Sequence, residues 1–581
     1  NDFLIIRTPG KGPIQAAARF LRQATFGANS ADILKVRKQG YNAWIDEQFA
    51  KPSVSHLATV KADTKLIASP WAVTQPSIWK QYIEGDDQLR QRVSYALSQI
   101  FVVSQNNNTV GDAPCGLAQY LDVLNAGAFG NVRDLMMNVT LSPVMGEYLS
   151  MKESAKADPL LSTQPDENYA REVMQLFSIG LIMLNTDGSI KLDGNNNPIP
   201  TYTEDTVKEF ARVFSGWTFA GQNQADPWKW LYPDLWHSDA AIRSQKSCAA
   251  WSTPMVPWVT SFRNSIDKGF ISGPAHDMYE KTLLVYDGAP NTILPSANFN
   301  HAPTDAELAQ FVRDDLNKAI DNIFNHPNVG PFLAKQLIQR LVTSNPTAQY
   351  IQRVALKFND NGSGVRGDMK AVIKAILLDD EARSANTAKQ PNYGKLTEPV
   401  IRFTQMHRAF NARRAGGYYD LWDFSNATAL NQNPLKAPSV FNFYHADYTP
   451  AGPLASANLD GPEFEITNAS SVAGFADFSK WGIIGGFDHG SSTVANRMIP
   501  DYSFYTSIAD SATKLVDELD LLLCSGSINP TFKAALVTSV GKIAVRANTS
   551  GDPTRNAKDR LERVNMALWL IINSPDYSVQ K

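Results

Sequence analysis

The stretch PDENYAREVMQLFSIG, residues 165–180, has the pattern of one amphipathic helix, and the rest of the chain is interpreted from it. Pro165 and Asp166 suit the start of a helix, and Gly180 suits its end. At about 100° per residue, the apolar side chains share one face. They are Tyr169, Val173, Leu176 and Phe177, together with Gly180. The sequence therefore predicts a signature helix over residues 165–180.

Glu172 falls on the margin of this apolar face, between Leu176 and Ile179. A carboxylate in such a position is paired or hydrogen-bonded, or its pKa rises. One interpretation is a structural carboxylate that ties a neighbouring helix to this one. The other is a functional acid in a pocket, with Asn168 about one turn earlier on the same side. We also expect Arg171 to pair with Glu167, because residues four apart are neighbours on a helix.

This stretch and four further segments resemble a bacterial family called domain of unknown function 1800. The further segments are ARFLRQATFG (18–27), YTED (202–205) with ARVFSGW (211–217), His276-Asp277 with Lys281-Thr282-Leu283, and residues 560–580 with SPDY at 574–577. Together they span nearly the whole chain. The resemblance implies a secreted or envelope-associated, mostly helical bacterial protein, and it implies no particular reaction.

Helical spacing of apolar residues recurs along most of the chain and predicts an all-α fold. A turn signal at Asn185-Thr186-Asp187-Gly188 predicts a small β-hairpin near residues 181–202. We divide the chain into an N-terminal helical region (1–217), a Trp-rich excursion or lid (218–272), a central helical region (273–415), an irregular aromatic and Gly-rich segment (416–503) and C-terminal helices (504–581). These regions are expected to form one integrated body.

Composition narrows the class of protein. The 581 residues include 54 Lys and Arg against 57 Asp and Glu, a net charge of −3, with no basic stripe. No nucleic-acid partner is therefore expected. No apolar run reaches about 18 residues, so no transmembrane span is expected. The sequence begins at Asn1 without Met, which suggests that a signal peptide was removed. We expect a secreted, periplasmic or cell-surface protein.

The cysteines are Cys115, Cys248 and Cys524. None forms a Cys-x-x-Cys pair, which argues against a thiolate zinc site or a redox dithiol. One disulfide and one free thiol would suit an oxidising compartment. The spacing does not choose the pair.

The 218–272 excursion holds five of the chain's 12 Trp residues, among Pro and Ser. One interpretation is a lid packed by its own aromatic side chains. The other is a stacking wall over a pocket for sugars or aromatic ligands. On the second interpretation, Trp228, Trp230 and Trp236 contact substrate together with Asn168.

His276 and Asp277 follow Pro274, with Lys281 close behind. A His can act as a base, an acid or a metal ligand, and the Asp can orient its ring. Alternatively, both side chains pin the loop. The aromatic segment 441–448 brings a further His, His445, which could line a pocket.

The hairpin tip carries Asp193, Asn195 and Asn197, followed by Glu204. These fall at positions 1, 3, 5 and 12 of an EF-hand-like loop, which makes calcium the one cofactor that the sequence suggests. Pro198 stands where that loop needs Gly, and oxygen-rich turns also occur without metal.

Two functions remain open. The first is a hydrolase or lyase that acts on an extracellular polymer or glycan. Its proton-transfer groups would be Glu172 and His276, supported by Arg171, Asp277 and Lys281. The sequence contains none of the familiar hydrolase, nucleotide or metalloprotease motifs that would name a reaction. The second is a non-catalytic cell-surface protein that binds a polymer or a protein partner.

Overall fold

The computed structural model describes residues 13–67, 69, 72–159, 162–220, 247–259, 261–263, 270–421, 423–487 and 497–581. Trp228, Trp230 and Trp236 lie outside these residues, so their contact with substrate stays a prediction.

Helices make up most of the described chain, which confirms the all-α prediction. Those before the excursion are α1 (Ile14–Ala24), α2 (Ser30–Gln39), α3 (Tyr41–Ala50), α4 (His56–Ala62), α5 (Thr74–Glu84), α6 (Gln88–Ser98), α7 (Asn108–Gly111), α8 (Pro114–Gly127), α9 (Val132–Thr140), α10 (Pro143–Tyr148), α11 (Asn168–Gln175) and α12 (Glu204–Phe214). Residues 247–252, within the excursion, form α13.

The later helices are α14 (Asp305–Phe324), α15 (Val329–Leu341), α16 (Ala348–Asn359), α17 (Met369–Leu378), α18 (Asp380–Arg383), α19 (Pro399–Ala409), α20 (Pro453–Ser456), α21 (Ala469–Gly485), α22 (Ser503–Ile508), α23 (Ala512–Cys524), α24 (Pro530–Gly541), α25 (Arg555–Ile572) and α26 (Pro575–Ser578). Short 3₁₀ helices lie at Thr387–Lys389 and Pro462–Ile466. Polar residues set several starts: Thr304 and Glu307 form a capping box at the head of α14.

The described residues contain five short antiparallel strand pairs, some between neighbouring segments and some between distant ones. They are β1 (Trp217–Thr218) with β2 (Val256–Pro257), β3 (Ser261–Arg263) with β4 (Phe270–Ser272), β5 (Lys281–Thr282) with β6 (Ile293–Leu294), β7 (Lys395–Leu396) with β10 (Val579–Gln580), and β8 (Arg413–Arg414) with β9 (Met498–Ile499). The β7–β10 pair brings residues near the end of the sequence against its middle, where Gln580 lies opposite Lys395.

The predicted β-hairpin contains three extended segments rather than two. Bridges join Ile182 to Pro200, Leu184 to Ile190 and Leu192 to Pro198. The amide of Met183 donates to Ile199 O at 2.7 Å, that of Ile199 to Lys191 O at 3.1 Å, and that of Lys191 to Met183 O at 2.8 Å. Each segment therefore bonds to both of the others.

One apolar cluster runs through the described helices, from Ile14 to Tyr577. The apolar face of α11 joins it through Tyr169, Val173 and Phe177, as the helical pattern predicts. α11 packs against α12, and α12 packs against α14. This packing sets the signature helix beside the segments that follow it. Every helix in the described ranges is too short or too polar to cross a bilayer.

Candidate functional site

Glu172 lies on α11 and is half-buried. Its Oε2 is buried and has no hydrogen-bond partner among the described residues. Burial raises the pKa of this carboxyl, and the nearby Arg171 guanidinium opposes the rise. Of the outcomes expected for a carboxylate at this position, the structure therefore shows the raised pKa.

Arg171 pairs with Glu167 at 3.1 Å, as the helical spacing predicts, and also with Glu204 at 2.8 Å. Since Glu204 is the first residue of α12, Arg171 ties the signature helix to the next one. Asn168 is exposed at the start of α11, where its backbone N–H donates to Asp166 Oδ1 at 2.9 Å. Within the described ranges, no hydrogen bond or ion pair joins Glu172 to His276.

His276 and Lys281 are fully buried around a third residue, Asp315. Asp315 Oδ2 lies 2.8 Å from Lys281 Nζ and 3.4 Å from His276 Nε2, and His276 Nδ1 lies 2.8 Å from Ser215 O. Burial lowers the pKa of His276, which favours the neutral ring. Burial acts to raise the pKa of Asp315, but its bonds to His276 and Lys281 outweigh burial and lower it. This arrangement favours the pinning interpretation of His276, and its predicted catalytic role stays a prediction.

Asp277, the residue after His276, binds Arg212 of α12. Its two carboxylate oxygens lie 2.8 Å from Arg212 Nε and 3.2 Å from Arg212 Nη2. Burial acts to raise the pKa of Asp277, but Arg212 outweighs it and lowers the pKa. The same guanidinium binds Glu209 at 2.8 Å, and Glu209 accepts from the amide of Thr282. Asp277 therefore fixes β5 and the His276 loop to α12.

Asp193 and Glu204, two of the predicted calcium ligands, bind protein groups in the structure. Asp193 Oδ1 accepts from the amides of Asn195 and Asn197, each at 2.8 Å, and so closes the turn on itself. Glu204 binds Arg171 instead of joining this turn. In the described part of the chain, no group of three or more His, Cys, Asp or Glu side chains is arranged to hold a metal. Calcium at this tip stays a prediction.

An open pocket of about 570 Å³ lies between the end of α10, the approach to α11, and the excursion. We call it the Lys152 pocket. Lys152 Nζ lies 3.3 Å from Glu147 Oε2 and 3.2 Å from Glu153 Oε1. The half-buried Trp251 forms one wall, and the ring of Phe219 meets it edge-on at 4.9 Å between centroids. The two carboxylates paired with Lys152 therefore share one accessible space with an aromatic wall and with a third carboxylate, Asp166.

Backbone bonds hold the charged residues of this pocket in place. The amide of Lys152 donates to Gly146 O at 2.9 Å, and that of Glu153 donates to Trp217 O at 2.7 Å. Ser150 and Glu153 both have positive φ, at 57° and 63°. Non-glycine residues rarely adopt this conformation, and those that do cluster at functional sites.

Gly216 connects the Lys152 pocket to the His276 loop. Its amide donates to Ser154 O at 2.7 Å, and its φ is +79°. A Cβ at this position would lie 2.4 Å from the backbone nitrogen of His276. Only glycine therefore allows these segments to approach so closely. Two of the segments that carry the family resemblance, 211–217 and 276–277, meet at this point.

Burial raises the pKa of the Glu153 carboxyl, and the adjacent Lys152 ammonium opposes the rise. Glu147, Lys152 and Glu153 match no sequence motif, and their aromatic neighbours are distant in sequence, so the sequence did not predict them as site residues. It also missed Asp315, although an Asp on the inward face of α14, between Val312 and Ala319, was a visible signal.

The disulfide joins Cys115 of α8 to Cys248 of α13, and Cys524 is a buried free thiol. Trp251 stands three residues after Cys248, on the same short helix. α8 packs closely there, since a Cβ on Gly116 would lie 3.2 Å from the Trp251 Cβ. The crosslink thus anchors the aromatic wall of the pocket.

Comparisons with known proteins agree with the resemblance seen in the sequence. A family model described as protein of unknown function (DUF1800) matches residues 19–579. No curated protein and no solved structure matches the chain. Because the family model covers nearly the whole sequence, the chain belongs to the DUF1800 family.

Proposed function

We propose that this protein is a secreted hydrolase or lyase that acts on an extracellular glycan in the Lys152 pocket. The observation that carries the proposal is the Glu153 carboxyl, whose pKa burial raises inside an accessible pocket. A general acid needs a carboxyl that keeps its proton near the working pH. Glu153 replaces Glu172 in that role, because Glu153 lines the Lys152 pocket and Glu172 does not.

Neighbouring side chains supply the second carboxyl group and the sugar-stacking ring that the reaction needs. Glycoside hydrolysis uses two carboxyl groups, one that protonates the leaving oxygen and one that acts on the opposite side of the bond. Glu153 would donate its proton to the glycosidic oxygen. Glu147 would take a proton from the attacking water, which adds to the anomeric carbon. Trp251 offers a ring on which the apolar face of a sugar can stack.

Two further observations support the proposal, one on the compartment and one on the substrate. The Cys115–Cys248 disulfide suits an oxidising compartment. The aromatic wall that this crosslink anchors suits an extended polysaccharide better than a small charged metabolite, because stacked sugars bury apolar faces against aromatic rings.

The test compares three matched variants, Glu153→Gln, Glu147→Gln and Glu172→Gln, on a panel of bacterial and plant polysaccharides. We expect the first two to lose activity by about a hundredfold or more, since general acid–base groups contribute on that scale. We expect Glu172→Gln to keep it. New reducing ends without unsaturated sugars indicate a hydrolase, and unsaturated products indicate a lyase.

The pH profile gives an independent check. Glu153 must be protonated to act as the acid, so activity should fall as pH rises through its raised pKa. Loss of activity in Glu172→Gln with retention in Glu153→Gln would overturn the assignment. Polysaccharide binding without turnover in the unmodified protein would instead favour the non-catalytic surface binder.

A further inference from the structure

A second open space, of about 520 Å³, lies on a different side of the signature helix from the Lys152 pocket. It is bounded by residues 175–190, by α15 and by residues 440–447, and we call it the α15 groove. Its walls are largely apolar and include Leu181, Leu184, Ile190, Phe332, Val440 and Phe441. Leu181, Ile190 and Phe441 are 54%, 53% and 43% exposed, so the groove presents apolar surface to solvent.

The floor of the α15 groove is polar and charged. Arg340 lines it and belongs to a buried cluster with Arg92, Lys395, Glu398 and Glu463. Lys395 Nζ lies 2.8 Å from Glu463 Oε1 and 3.0 Å from Arg340 O, and Arg92 Nη2 lies 2.6 Å from the same carbonyl. The cluster therefore holds three basic side chains against two carboxyl groups.

The carboxyl groups leave positive charge uncompensated. Burial acts to raise the pKa of Glu398, but Lys395 and Arg92 outweigh it and keep this carboxylate ionised. Even with Glu463 also ionised and paired with Lys395 at 2.8 Å, two carboxylates face three cations. A buried charge without a partner is costly, so this excess calls for an anion.

Lys335 and Arg340 both line the groove, but Lys335 Nζ lies 3.8 Å from Asp460 Oδ2, which leaves Arg340 as the better site for an anion. Its guanidinium donates to backbone carbonyls, at 2.9 Å to Gln99 O and 3.5 Å to Gln336 O, and no described carboxylate pairs with it. Its Nε is buried and has no hydrogen-bond partner in the described ranges. Asn442 also lines the groove, and its buried side-chain nitrogen has no hydrogen-bond partner among the described residues either. Two unused donors and a spare positive charge thus belong to residues that line the same groove.

We propose that the α15 groove binds a free fatty acid, with its carboxylate on Arg340 and Asn442 and its chain along the apolar walls. The carboxylate supplies the charge that the buried cluster lacks and accepts from both unused donors. The alkyl chain needs no polar partners, and the apolar walls offer few. A peptide would bring backbone N–H and C=O groups that such walls leave unsatisfied.

Calorimetry tests this site in the full chain, with decanoate and dodecanoate below their micelle concentrations and decanol below its solubility limit. We expect decanoate to bind more tightly than decanol by at least tenfold. Two added methylenes should raise the affinity of dodecanoate further, by about fourfold for each methylene that becomes buried.

Two variants separate the head site from the chain site. Asn442→Asp places a carboxylate beside the buried cations, so decanoate binding should fall at least tenfold while decanol binding persists. Leu181→Ser should weaken both ligands. Leu356→Ser is the matched control, because Leu356 is also 54% exposed and lies outside the groove on α16. Equal binding of decanoate and decanol, no binding of either, or equal losses in Leu181→Ser and Leu356→Ser would overturn the proposal.

Discussion

Glu172 combines a buried, unpartnered oxygen with a raised pKa, and this combination fixes the sign of a stability change. The folded protein holds the proton of this carboxyl more tightly than the unfolded chain does. The stabilisation is therefore fully present below the unfolded pKa of 4.5 and is lost as pH rises through the folded pKa. We expect Glu172→Gln to raise the melting temperature by about 1 °C at pH 7. The gain should vanish near pH 4.

Glu167→Gln is the control for this measurement, because Glu167 stands at the start of the same helix and is paired with Arg171. It should give no gain at any pH. A lower melting temperature for Glu172→Gln at neutral pH would mean that its carboxylate makes a favourable contact, and the structural interpretation of this residue would need revision.

Asp315 is the only carboxylate in contact with the buried Lys281 among the described residues. Removing one partner of a buried ion pair leaves the other charge uncompensated and costs about 3–5 kcal/mol. We expect Asp315→Asn to lower the free energy of unfolding in urea by that amount. Asp314→Asn, the same change one residue earlier on the exposed face of α14, should change it little. Similar losses in both variants would contradict the structural role of the cluster.

At the scale of elements, the junction at Gly216 determines how the Lys152 pocket and the His276 loop fit together. Gly216→Ala would push a methyl group into the His276 backbone and strain a positive φ. We expect a lower melting temperature and, if the proposed polysaccharide activity is found, a reduced rate. Gly194→Ala is the matched control, because a Cβ at Gly194 meets nothing within 4 Å and its φ is not positive. An unchanged melting temperature in Gly216→Ala would show that the segments can move apart freely.

The signature helix shows that a sequence pattern does not fix the ends of a helix. Periodicity found the signature helix, but the regular part covers only Asn168–Gln175 instead of residues 165–180. Beyond it, the amides of Phe177 and Ile179 reach back five residues, to Glu172 O and Met174 O, and Gly180 has a φ of +71°. An apolar pattern persists through such a loosened turn, so it does not reveal where the regular helix ends.

At the scale of the whole molecule, the helical class and the family followed from the sequence, but the sites did not. The Lys152 pocket joins residues 147–153 to Phe219 and Trp251, and the α15 groove joins Arg340 to residues 440–447. Neither combination has a fixed spacing, because only the packing of distant elements brings its members together. The cysteine pairing was open for the same reason.

The disulfide gives a prediction at this scale. It closes a separation of 133 residues, and the chain-entropy account assigns about 5 kcal/mol to a crosslink of that span. Reduction should lower the melting temperature and weaken polysaccharide turnover, because Trp251 loses its anchor. The double variant Cys115→Ala, Cys248→Ala should show the same loss and no response to reductant. Full activity in that variant would show that Trp251 keeps its position without the disulfide.

The pairing of Lys395–Leu396 with Val579–Gln580 has a consequence for biogenesis. Gln580 also donates to Leu341 O at 2.8 Å, next to Arg340. A nascent polypeptide that emerges from its N-terminal end presents residue 395 long before residue 580 exists to meet it. The α15 groove would thus be completed last, and a truncation that removes residues 575–581 should leave it incompletely formed while the Lys152 pocket is already assembled.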